Sequence, residues 1–280
     1  MIKSVVRAVF VRSNLRCLCV TIGGMRRPKK TVVANWKMNP QTFEEAKKLF
    51  SGVVKNLSTI KGVETVVCPP LVYLSELAYA YQGKKVVFGA QDTFWETKGS
   101  HTGSVSPIQI KGTDAAYVII GHSERRALGE NNERVNKKVV SALKSGLRVI
   151  LCVGEHKRDD HGTHLPFIQD ELEVALRSVS SEMLKNITIA YEPIWAIGKS
   201  AKDAMQPLQI HEMVLFIKKV LVEKYSKTAG LNVSVLYGGS AEPSNVQDIM
   251  ERGTVNGFLV GHASLDVDSF SEIVRIVSKY

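Results

Sequence analysis

The chain has 280 residues, 44% of them hydrophobic and 23% charged, with a formal charge of +10 at pH 7. Those proportions exclude whole-chain disorder and fibrous repeats, and no apolar run reaches the roughly 20 residues that span a bilayer. Four cysteines, Cys17, Cys19, Cys68 and Cys152, are too few and too irregularly spaced for a secreted disulfide scaffold, and the length suits one large core.

Residues 1–30 carry Lys3, Arg7, Arg12, Arg16, Arg26, Arg27, Lys29 and Lys30 and no acid; the first acidic residue is Glu44. Removing those eight leaves 29 basic against 27 acidic residues, a body charge of only +2. A nucleic-acid partner would need that charge spread over the body, so neither nucleic acid nor a membrane is expected as a partner. The segment divides three ways. Arginines punctuating apolar residues without acids suit import into a plastid or mitochondrion; an ordinary tail is the plainer reading; and Met25 as the true start would make the first 24 residues an extension. Without import the default compartment is the cytoplasm. The organisation expected is a basic leader over residues 1–30 and one domain over 31–280.

From residue 31 short apolar runs alternate with helical patterns. Thr31 to Trp36 reads as a strand, and Thr42 with Glu45 forms a capping box ahead of a helix to Leu57. Val63 to Cys68 is the second strand, followed by a helix from Leu71. Val86 to Gly89 is the third, followed by a long polar loop from Asp92 to Val105. Tyr117 to Ile120, Arg148 to Val153, Thr188 to Tyr191, Val233 to Tyr237 and Gly257 to Val260 complete eight strands. Helical patterns at Glu133–Lys144, Pro166–Met183, Leu208–Lys224, Asn245–Met250 and Phe270–Val277 separate most of them.

Eight short strands apolar on both faces, with crossovers long enough for parallel connections, predict a closed (β/α)8 barrel in the α/β class. An open doubly wound sheet is the alternative. Its glycine-rich fingerprint is missing after the first strand, where Asn35, Trp36, Lys37 and Met38 stand. In a barrel the chemistry collects at the carboxyl ends of the strands. Those ends hold Asn35 and Lys37, Gln91, His122 to Arg126, Glu155, Glu192, the Gly238-Gly239-Ser240 turn and Gly261-His262.

A lysine, a histidine and a glutamate from separate strand ends suit proton abstraction beside a carbonyl. Glu192 can take a carbon-bound proton, His122 can hydrogen-bond the oxygen as charge develops, and Lys37 supplies fixed positive charge for an anionic substrate. Asn35 adds an amide donor. The two glycine turns after strands 7 and 8 are where such barrels bind phosphate. No metal-ligand spacing is present, and no metal is expected. Tyr191 to Gly198 reads as a lid with Pro193 and Gly198 near its hinges; an ordinary buried loop packing Trp195 is the alternative.

Asn35-Trp36-Lys37-Met38-Asn39, Gly89-Ala90-Gln91, Ile120 through Arg126, Cys152-Val153-Gly154-Glu155, Tyr191 through Gly198 and Tyr237-Gly238-Gly239-Ser240 together resemble the triosephosphate isomerase family, from about Val32 to the C-terminus. The resemblance implies a TIM barrel, a homodimer, no cofactor, and interconversion of dihydroxyacetone phosphate and glyceraldehyde 3-phosphate through an enediolate. It implies Asn35 and Lys37 as substrate-binding residues, His122 as electrophile and Glu192 as base, roles for which this family is itself the standard worked example. It further implies Glu124 as support for Lys37; Gly198, Ser240, Gly261 and His262 on the phosphate loops; and Thr102 reaching toward the neighbouring subunit.

The chain departs from the family pattern at several positions. Lys199-Ser200-Ala201 follows Gly198 where Thr-Gly-Lys is usual, His262 replaces a second glycine, and His101 and Ser104 replace a phenylalanine and a glutamate. His262 is expected to keep an ordinary backbone angle and leave the anion cradle usable. Two rivals stand beside this reading: a Schiff-base aldolase or lyase using Lys37 as nucleophile, and a non-catalytic barrel that binds a partner through its leader or altered loops.

Overall fold

The computed structural model describes residues 29–159, 161–198 and 204–280. Its strands are β1 Lys30–Asn35, β2 Val63–Cys68, β3 Val86–Ala90, β4 Tyr117–Ile120, β5 Arg148–Val153, β6 Ile187–Tyr191, β7 Ser234–Tyr237 and β8 Gly257–Val260. Each pairs in parallel with the next in sequence and β8 returns to β1, so the sheet closes. Every strand end falls within one residue of the position its apolar run predicts.

Side-chain alternation divides each strand between two cores. Val33, Val66, Cys68, Tyr117, Ile119, Ile150, Cys152, Ala190, Leu236 and Leu259 fill the barrel interior. Their neighbours Val32, Ala34, Val67, Val118, Ile120 and Leu151 face outward into the larger core beneath the helices. Both faces are therefore dry, which is why these strands read as continuous apolar runs. Closure has a steric condition at Gly257. Its φ is +145°, and a Cβ there would lie 1.8 Å from the carbonyl oxygen of Thr31, so only glycine lets β8 reach β1.

The outer layer comprises α1 Phe43–Asn56, α2 Leu71–Ala80, α3 Pro107–Lys111, α4 Ser123–Ala127, α5 Asn132–Lys144, α6 His164–Ala175, α7 Ser181–Leu184, α8 Pro207–Lys224, α9 Lys227–Asn232, α10 Pro243–Arg252 and α11 Val267–Val277. The expected capping box starts α1: Thr42 accepts from the Glu45 amide and the Glu45 carboxylate accepts from the Thr42 amide. Among the described residues no helix is long and apolar enough to cross a membrane.

The single helix expected over Pro166–Met183 is two. α6 ends at Ala175, Ser178 takes a left-handed φ of 63°, and Ser180 caps α7 by accepting from the Met183 amide. Leu176, Val179, Met183 and Leu184 continue an apolar spacing of three to four across the break, which hides it in the sequence. The short helices α3, α4 and α9 are additions to the expected set. Residues 1–28 and 199–203, including Cys17, Cys19, Met25 and Lys199-Ser200-Ala201, lie outside the described residues.

Candidate active site

The carboxyl ends of the strands open on a cleft of about 400 Å³. Asn35, Lys37, His122, Glu192, Gly198, Ser240, Gly261 and His262 all line it, so the residues expected to react with or bind substrate meet in one place. Glu124 adjoins through Lys37. Thr102 stands apart, exposed on the loop between β3 and α3.

Lys37 has an unusual backbone. Its φ is 53°, a left-handed angle that costs a non-glycine residue about 1–3 kcal/mol unless its surroundings over-determine it. Two side chains do so here. Asn35 Oδ1 accepts from the Lys37 amide at 3.1 Å, and Gln91 Nε2 donates to the Lys37 carbonyl at 2.8 Å and to the Cys68 carbonyl at 2.9 Å. Thus β1, β2 and β3 jointly set the lysine, and its ammonium reaches Glu124 Oε1 at 2.6 Å. Asn35 spends its oxygen on this task and keeps its amide nitrogen as a donor.

His122 follows β4 and caps α4. The Glu124 amide donates to its Nδ1 at 3.2 Å, which requires a lone pair on that nitrogen, so a neutral ring carries its proton on Nε2. Nε2 lies 3.2 Å from Glu192 Oε1. The other carboxylate oxygen, Oε2, accepts from the Ser123 amide at 3.1 Å. His122 and Glu192 are both buried, at 6% and 2% exposure, so their interaction is little screened by water.

Glu192 follows β6, packed among groups whose part in holding it the sequence reading did not assign. A Cβ on Gly238 would lie 2.8 Å from Glu192 Cγ, so the first glycine of the β7 turn makes room for the carboxylate. Beneath it, burial and then the nearby carboxylate push the Cys152 thiol up, keeping it protonated and unreactive. Glu171 lies below, 1% exposed, accepting from the Gly154 amide at 2.8 Å and pairing with Arg126 at 3.2 Å. Burial outweighs Arg126 and raises its carboxyl to about 7.

Gly198, Gly238 to Ala241 and Gly261 to Ala263 line the same cleft as a glycine-rich wall. Ser240 Oγ donates to the Ala196 carbonyl at 3.0 Å, tying the β7 turn to the segment after Glu192. Gly261 has φ −88°, and His262 opens a 3-10 turn, His262–Leu265, with φ outside the left-handed region, as expected for it. Its side chain is exposed at the cleft rim. Ile197, Leu259 and Glu242 also line the cleft. Of these, Glu242 was findable in the sequence, two residues beyond Ser240 at the start of α10.

The family model described as triosephosphate isomerase matches residues 30–277. Among similar proteins, the triosephosphate isomerase of Thermoanaerobacter pseudethanolicus is 41% identical over 257 residues, covering 90% of this chain and 100% of that one. Those of Geotalea uraniireducens and Roseiflexus castenholzii are each 39% identical over 256 residues, with 99% of each relative covered.

Proposed function

The chain belongs to the triosephosphate isomerase family, and we propose that its isomerase reaction runs through an enediolate with Glu192 as the base and His122 as the electrophile. Glu192 removes a proton from C1 of dihydroxyacetone phosphate, and the C–H electrons move through C2 to its carbonyl oxygen. The hydroxyl proton on O1 passes to O2, and returning the carbon-bound proton to C2 gives glyceraldehyde 3-phosphate with its carbonyl at C1, so atoms and charge balance without a co-reactant. The Nε2 proton of His122 hydrogen-bonds the oxygen that gains charge, with Lys37 and the Asn35 amide beside it. The observation that carries this reading is the 3.2 Å approach of His122 Nε2 to Glu192 Oε1 at the ends of two different strands, with both side chains buried.

Reaching C1 requires the Glu192 carboxylate to exchange the Ser123 amide for substrate. Beyond Trp195, Ala196 to Gly198 close over the substrate and exclude water. The phosphate rests on main-chain N–H groups of Gly198, Ser240, Gly261 and His262, whose turns supply donors without a competing charge. A second copy of the chain is the proposed partner, with Thr102 on the loop that meets it. The exposed apolar side chains Met38, Val72 and Leu128 support that assignment, since such groups favour burial against a partner. The test is turnover by the purified chain, with and without residues 1–27. Interconversion of the two triose phosphates by both forms is expected, and covalent trapping of substrate by borohydride would instead reveal a Lys37 Schiff base.

A further inference from the structure

Glu155 follows β5 and is 2% exposed. Its Oε1 accepts from Tyr191 OH at 2.9 Å, from Trp195 Nε1 at 2.9 Å and from Arg158 Nε at 3.0 Å. Tyr191 immediately precedes Glu192, and Trp195 lies three residues after it, in the 3-10 turn Ile194–Ala196. The main chain is tied at the same place: the Ile194 amide donates to the Glu155 carbonyl at 3.0 Å and the Glu192 amide to the Val153 carbonyl at 2.8 Å. Glu155 therefore holds both flanks of Glu192.

Arg158 bonds Glu155 and Tyr191 and stands near the face of Trp195. Besides its ion pair with Glu155, its Nη2 donates to Tyr191 OH at 3.1 Å, and its guanidinium carbon stands 5.9 Å from the centre of the Trp195 ring. A buried carboxylate is costly unless a cation and hydrogen bonds compensate it. The planar guanidinium can do this while bonding a second acceptor and covering an aromatic face, which an ammonium cannot do at once. Arg158 does not line the cleft.

We propose that Arg158 is a positioning residue for the isomerase reaction: its joint contacts with Glu155, Tyr191 and Trp195 fix the segment that carries Glu192, and so set where the carboxylate reaches. The inference rests on Glu192 being the base. A misplacement of about 1 Å at a reacting group costs on the order of 100-fold, so a loosened anchor lowers kcat. KM stays near its wild-type value, because Arg158 touches no substrate.

Full-length Arg158→Met and Arg158→Lys variants test this through kcat, KM and melting temperature. Methionine keeps apolar bulk beside Trp195 and loses both the charge and the donors; kcat about 10-fold lower with KM within about twofold is expected. Lysine restores the charge beside Glu155 and not the second bond, so it should recover the melting temperature and only part of kcat. Folded Arg158→Met with kcat within about twofold of wild type, a loss carried by KM, or complete rescue of kcat by lysine would each overturn the proposal. If the methionine variant does not fold, Arg158→Lys decides: kcat several-fold lower at unchanged KM supports it, and wild-type kcat ends it. Glu192→Asp, measured alongside, separates the two readings. Undiminished turnover there removes the base assignment, whereas loss there with unaffected Arg158 variants removes only this inference.

Discussion

The main-chain amide of Ser123 donates to Oε2 of Glu192 at 3.1 Å, across 69 residues of sequence. This bond and the approach of His122 fix both carboxylate oxygens before substrate arrives, so the length of the side chain matters as much as its charge. Glu192→Asp shortens the reach by about 1 Å and should lower kcat by at least about 100-fold, with fold and KM nearly unchanged. Steady-state kinetics on the variant measure this, and near wild-type turnover would remove Glu192 from the base role.

Gly238 is expected to be sensitive too, though less so than the base itself. An added Cβ would stand 2.8 Å from Glu192 Cγ and 3.4 Å from the Tyr191 carbonyl oxygen, while the Gly238 backbone is not left-handed. Alanine therefore fits the main chain and displaces the carboxylate. Gly238→Ala should lower kcat by about 10- to 100-fold with a melting temperature close to wild type. A variant that melts much lower and keeps its per-molecule kcat would show that the strain was taken up elsewhere.

Strand positions and the polar strand-end residues were legible because both follow from short-range pattern. A strand buried on both faces shows as an apolar run, and a barrel presents its chemistry where those runs end. The contacts that aim the chemistry are of another kind. Ser123 contributes a main-chain N–H, Gly238 contributes the absence of a Cβ, and Arg158 meets Tyr191 33 residues away. Residue type alone does not show which distant group each of these meets. Helices of four to six residues such as α7 and α9 are also too short to show a 3.6-residue period, and only their serine caps, Ser180 and Ser226, mark them.

Glu171 links stability to pH. Its carboxyl is raised from 4.5 to about 7, chiefly by burial. The folded chain therefore keeps a proton that the unfolded chain releases between about pH 4.5 and 7. The contribution to stability is fully present below pH 4.5 and is lost as pH rises to about 7, by roughly 3 kcal/mol in all. Glu171→Gln retains an acceptor for the Gly154 amide and does not titrate, so it should flatten this part of the profile while losing the pairing with Arg126 at every pH. Urea unfolding at pH 5, 6 and 7.5 compares the slopes. Parallel profiles for the two proteins would place the titrating group elsewhere.

Residues 1–27 are expected to be dispensable to the barrel. The closed sheet and the last helix of the ring lie between Lys30 and Val277, and every strand has both neighbours within that span. A chain starting at Pro28 should melt within a few degrees of the full chain, the scale of about 1 kcal/mol for a domain of this size, and retain its turnover. A drop of more than about 10 °C would mean that the leader packs on the body.

His262 brings a side chain to a wall otherwise built of glycines and small residues. It begins the 3-10 turn after β8, exposed at the rim of the same cleft as Gly198, Ser240 and Gly261. The charged groups that share this cleft are Lys37, Glu192 and Glu242, with His122 also titratable. An imidazole here places a ring N–H beside the site proposed for the phosphate, a donor that glycine lacks. Glycine at this position keeps the main-chain N–H and removes only the imidazole, so His262→Gly isolates the side chain. KM should rise several-fold in the variant at a fixed pH, with kcat little changed. Identical KM values would show that the ring turns away to solvent and that the phosphate is held by the main-chain donors alone.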